Sequence, residues 1–207
     1  MSKFHPSEKE TVYKLGFWSA IVATLLLIIA GITATASIQP LATIIGFLVT
    51  LFFLIVMACV HSYASDEKKV FSLIGLSFAI IYAVLISLNY YIQLTFVRQT
   101  TFDASMFDIT NPQSMMFVIE SLGYFFMGLA TLFAAPLFSS SKTENLIKWL
   151  FVTNGILGVL TPIGYSLNLP LEIIFGGLIV WDIIMPVSIG SLAYLFKRKC
   201  NPKYDEA

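Results

Sequence analysis

Two carboxylic acids, Glu120 and Asp182, stand inside long apolar stretches of this 207-residue chain. An ionisable side chain in hydrocarbon costs at least ~2.5 to 3.5 kcal/mol on insertion scales, so each acid needs a reason to be there. No Lys, Arg or His occurs in the same stretches, which leaves each carboxyl protonated, hydrated or bound to an external cation. Pro186 follows Asp182 at the spacing of one helical hydrogen bond. A proline has no N–H to give the carbonyl four residues earlier, so the backbone oxygen of Asp182 loses its helical partner. A carboxylate and a free carbonyl at one level suit a water, a proton or a small cation, and Gly176, Gly177 and Gly190 let the helix bend or neighbours approach. The plainer reading makes Asp182 a neutral acid donating to an adjacent helix and Pro186 an ordinary kink.

Other polar groups fall at helical spacing near these acids. Tyr82, Asn89 and Gln93 share one helical face, and Glu120, Tyr124, Met127 and Thr131 share another. Thr161, Pro162 and Tyr165 approach the same level, and Pro162 frees the carbonyl of Gly158. At 1.5 Å per residue Glu120 lies ~8 Å from the outer end of its helix and Asp182 ~16 Å. We read these residues as an outward-opening cavity lined by Asn89, Gln93, Glu120, Tyr124 and Asp182, with Pro162 and Pro186 as structural kinks. The alternative is ordinary hydrogen bonding between helices, worth ~0.6 kcal/mol per contact on average, with no ligand.

The elements that carry these groups follow from composition. The chain is 57% hydrophobic and 12% charged, with a mean hydropathy of +0.85, too apolar for a soluble domain. Between Lys14 and Asp66 only His61 breaks a run free of acidic or basic residues, room for two spans of ~20 residues. Uncharged runs predict an all-α integral membrane bundle of six transmembrane helices, over residues 15–37, 41–61, 70–96, 115–138, 149–168 and 171–196. The polar stretches 1–14 and 197–207 read as solvated tails too short to form a domain. Pro40 and Pro170 suit the first turn of the helices they precede.

Lys and Arg set the expected orientation. With the N-terminus inside, Lys3, Lys9, Lys14, Lys68, Lys69, Lys142, Lys148, Lys197, Arg198, Lys199 and Lys203 fall on the inner side and only Arg98 on the outer. That bias predicts both termini cytoplasmic, in a multi-pass protein of the plasma membrane with the lipid bilayer as its first partner. Trp149, Tyr90, Tyr91 and Tyr165, near span ends, read as headgroup anchors. Ala34-Thr35-Ala36 has the form of a signal-peptidase site, but the apolar stretch before it exceeds a usual signal core, so a retained first span is expected.

Smaller signals fit this frame. Gly16 with Ala20, Ala30 with Ala34, and Ala130 with Ala134 mark close helix approach, within the bundle or between copies in a homo-oligomer. A weak echo links the segments opening at Ser37 and Ser166, each ahead of a Pro and an apolar helix; chance explains it better than an internal repeat does. The segment 98–114, with Phe102, Asp103, Met106, Phe107 and Asp108, reads as a connector rather than a surface lid, and Asn154 as an interhelical hydrogen-bonder. Cys200, after Lys197, Arg198 and Lys199, reads as an unmodified thiol beside anionic headgroups.

Enzyme signatures are missing. His5 and His61 have no ligating or catalytic companions, Cys59 and Cys200 are too few for a zinc site, and no nucleophile elbow, P-loop or dinucleotide glycine motif is present. No catalytic residue, metal ligand or cofactor is assigned, and the balanced charge gives no case for nucleic acid. The leading expectation is a protein that binds and transports a small solute or lipid-like amphiphile, coupled to H⁺ or Na⁺ through Glu120 and Asp182. Two others stand beside it: an accessory subunit whose carboxylates satisfy a partner membrane subunit, and a lipid-modifying enzyme using them as acid and base.

Overall fold

The computed structural model describes residues 6–36, 38–99 and 105–200. Lys3, His5, Ser37, Phe102, Asp103 and Lys203, used in the sequence reading, lie outside the described residues. Six long helices carry the chain: α1 (Pro6–Thr35), α2 (Gln39–Tyr63), α3 (Lys69–Ile92), α4 (Met115–Ala134), α5 (Lys142–Ser166) and α6 (Leu171–Cys200). No strand occurs among the described residues. Each helix is long and apolar enough to cross a membrane.

The apolar runs predicted the number and centres of the helices, but two starts fall earlier than expected. Charge ends an apolar run without ending a helix, because Glu and Lys are good helix formers. Thus α1 extends back through Lys14, which pairs with Glu10 one turn earlier at 2.7 Å. Similarly α5 begins at Lys142, where the Ser141 hydroxyl caps it by accepting from the Glu144 N–H at 3.2 Å. Ser114 caps α4 in the same way, accepting from the Phe117 N–H at 3.0 Å. A π-helical turn, Gln93–Val97, continues α3 toward the long loop.

The helices form a ring: each packs against its chain neighbours, and α6 closes against α1. Small residues set the tightest seams. A Cβ on Gly158 of α5 would lie 2.8 Å from the Gly128 Cα of α4, and one on Gly75 of α3 would lie 2.9 Å from the Ala130 carbonyl oxygen. Gly16 faces Phe196 of α6 and Ala20 is fully buried, so this pair and the Ala130–Ala134 pair serve contacts inside the bundle. Ala30 and Ala34 instead line a cavity.

The ends of the ring differ. At the end bearing the termini, rings from five helices or their flanks close the middle. Tyr13 packs on Phe196 and Tyr63, Tyr63 stacks on Phe138 with centroids 6.0 Å apart, and Phe138 meets Phe151 edge-on at 5.6 Å. Phe138, Phe151 and Phe196 are fully buried. At the opposite end, under the loop joining α3 to α4, the ring encloses space.

Candidate functional site

That space is a cavity of about 390 Å³ with walls from all six helices and the long loop. A volume in this range accepts a small organic molecule. Leu27, Ala30 and Ala34 of α1 and Ala42, Gly46 and Val49 of α2 make its apolar side. Across from them stand Tyr82 and Tyr90 of α3, Glu120, Ser121 and Tyr124 of α4, Thr161 of α5, and Trp181 and Asp182 of α6. Aromatic rings run in sequence through four helices here. Phe53 meets Tyr82 edge-on at 5.4 Å, Tyr82 lies 6.5 Å from Tyr124, and Tyr124 meets Trp181 edge-on at 5.1 Å.

Glu120 is half-buried and held from α3. The Tyr90 hydroxyl donates to its Oε1 at 3.0 Å, and Asn89 Nδ2 reaches its Oε2 at 3.4 Å while donating to the Met116 carbonyl at 3.1 Å. Tyr90 can occupy this place because position 46 is glycine: a Cβ there would come 2.5 Å from the Tyr90 ring. Tyr90 is therefore a partner of Glu120 and not the headgroup anchor its position near a span end suggested, whereas Tyr91 and Trp149 are exposed as anchors require. Tyr165 likewise has an internal role, donating to the Pro112 carbonyl at 2.5 Å.

Three of the five expected lining residues, Glu120, Tyr124 and Asp182, line one cavity, and Asp182 is exposed on α6. Asn89 is fully buried behind Glu120 and serves it from the rear. Gln93 belongs to the loop: its Nε2 donates to the Phe107 carbonyl at 2.6 Å and its Oε1 accepts from the Ile109 N–H at 3.3 Å. Gln93 also borders a smaller cavity of about 280 Å³, together with Arg98 and Asp108, and both cavities share Gln39, Thr43, Ile109 and Thr110. The long loop is thus part of the wall. Pro162 and Pro186 lie inside the continuous helices α5 and α6, one near Thr161 and the other a turn beyond Asp182.

Two buried donors at this site were not singled out by the sequence. Ser121 Oγ and Trp181 Nε1 have no hydrogen-bond partner, although each residue is only 9% exposed and lines the cavity. Such groups normally carry a partner, since burying one without it costs about 1 to 3 kcal/mol. Asn154 behaves as expected, donating from Nδ2 to Thr131 Oγ1 at 2.8 Å between α5 and α4.

A second buried acid was also missed. Glu144 is 4% exposed at the start of α5, where its Oε1 accepts from the Tyr63 hydroxyl at 2.7 Å. Its Oε2 accepts from the Ser139 and Ser140 N–H groups at 3.1 and 2.8 Å. The spacing of Ser141 and Glu144 is that of a capping box and was the available signal. His61 Nδ1 pairs with Ser72 Oγ at 2.8 Å beside this junction, and no group of three or more His, Cys, Asp or Glu residues able to hold a metal occurs among the described residues.

Fold and site together define an architecture: an all-helical chain with six membrane-spanning candidates arranged around one acidic, aromatic-lined cavity. Comparison with protein-family models, curated proteins and solved structures returns no match.

Proposed function

We propose that this is a polytopic membrane protein that binds a small solute or amphiphile in the cavity beneath the long loop and moves it, with Glu120 and Asp182 providing coupling to H⁺ or Na⁺. One observation carries this reading: both acids of the apolar stretches line a single cavity to which every helix contributes. An acid retained only to satisfy a neighbouring helix has no need of such a space, whereas a binding site needs enclosure and a few placed polar groups. The end beneath it is packed shut by buried rings, which closes that side of the bundle as a protein that alternates its access requires. Orientation follows the Lys and Arg bias, with both termini cytoplasmic.

The test is thermal unfolding of the purified protein in detergent against lipids, vitamins, amines and Na⁺ at several pH values, beside Glu120→Gln and Asp182→Asn. A ligand at a hundredfold excess over Kd adds about 2.7 kcal/mol to apparent stability. A shift in the wild type that is lost in a well-folded variant is the expected result. No shift with any compound, together with two poorly folding variants, would overturn the proposal in favour of an accessory subunit.

A further inference from the structure

We infer that the cavity selects an organic cation, a quaternary or protonated amine that carries an apolar body and a hydrogen-bond acceptor. This rests on the binding function proposed above and specifies its ligand. The lining is one-sided in charge: Glu120 and Asp182 border the cavity and, among the described residues, no Lys, Arg or His does. The nearest cation of the loop region, Arg98, borders the smaller adjoining cavity, where Asp108 accompanies it.

The second observation is the ring lining. Tyr82, Tyr90, Tyr124 and Trp181 all border the space, and ring faces attract cations, most strongly where water is excluded. Carboxylates alone would suit a hydrated metal ion, but no group of three or more potential ligating side chains is present among the described residues. Aromatic rings together with the apolar surface of Leu27, Ala30 and Val49 favour a cation clothed in carbon.

The third observation concerns the unpaired donors. Trp181 Nε1 can only donate, and together with Ser121 Oγ it stands unpartnered at the buried wall of the cavity. Both ask for an acceptor on the occupant, such as an ester, ether or hydroxyl oxygen. An anion would also satisfy these donors, yet it would stand against two acids with no basic residue to offset them. The occupant therefore combines a positive charge for the two acids with an uncharged acceptor for Trp181 Nε1 and Ser121 Oγ.

Acetylcholine and its neutral carbon isostere, neohexyl acetate, separate charge from shape as probes. Binding is read from Trp181 emission in a Trp18→Phe, Trp149→Phe background, both of those tryptophans being exposed, and from thermal shift. The cation should bind at least about tenfold more tightly than the isostere, the scale of a desolvated cation–π contact added to charge pairing. In Glu120→Gln/Asp182→Asn that preference should fall to within about twofold; Glu120→Gln alone, which leaves Tyr90 an acceptor, gives a partial loss if the double variant does not fold. Equal or tighter binding of the neutral isostere would overturn the cation inference and leave the binding site standing. Failure of both probes and of the wider compound panel would overturn the binding function itself.

Discussion

Glu144 and Glu120 are two acids of one bundle, and their surroundings separate its two ends. Glu144 has both oxygens occupied, by Tyr63 and by two backbone N–H groups, and it ties the start of α5 to the end of α2 beside a plug of packed rings. Glu120 has side-chain partners only, the Tyr90 and Tyr124 hydroxyls and a long contact from Asn89, and it borders open space with Asp182. A carboxylate held by several donors is a fastening. One that also borders open space is available to something else. Neutralising them should therefore have opposite consequences.

The largest effect is expected at the fastening. Glu144→Gln places an amide where two N–H groups and a hydroxyl donate, and should lower stability by about 2 kcal/mol, the scale of hydrogen bonds to a charged group. Chemical denaturation or thermal melting in detergent measures it. A loss below a few tenths of a kcal/mol would erase the distinction between the two acids.

Gly46→Ala acts from the cavity side, through Tyr90. Its added methyl would overlap the Tyr90 ring, so Tyr90 must leave Glu120 or α2 must shift from α3, at a cost of about 1 to 2 kcal/mol, the range for overpacking. Tyr90→Phe in the same background should cost less than it does alone, because the hydrogen bond it removes is already disturbed; a double-mutant cycle reads that coupling. Full additivity would place Tyr90 outside the control of position 46.

The smallest change is expected for Glu120→Gln, which should leave melting unchanged or raise it by up to ~1 kcal/mol. Groups kept for binding are commonly held at the expense of stability. A loss as large as that of Glu144→Gln would make both acids fastenings.

How much of this could be read in the sequence depended on whether a signal is local. Helix number and centres come from apolar runs, which are local, and the six expected are the six found among the described residues. Glu120, Tyr124 and Asp182 were marked by the cost of burying acid and by helical spacing, and they line one cavity. Asn89 and Gln93 were placed in the lining because they share a face with Tyr82. That face meets α4 at one level and the folded loop at another, and only the tertiary arrangement separates them. Tyr90 was hidden by a general rule about aromatic residues at span ends, since its role depends on a glycine on another helix. Glu144 was hidden because polar residues near a helix start read as solvated flank, although the Ser141 capping pattern was present. Ser121 and Trp181 give no sequence signal: a missing partner is a property of the packed state.

The long-loop half of the bundle encloses an accessible cavity while the half bearing the termini is packed shut. Cysteine reactivity measures this directly in a Cys200→Ser background, with native Cys59, which is 3% exposed on α2, as the internal reference for a sealed position. Thr161→Cys introduces a thiol in the cavity wall. A small charged thiosulfonate reagent should modify that thiol readily in the folded protein, while Cys59 reacts only after unfolding. A thiol at position 161 as inert as Cys59 in the folded protein would contradict the account.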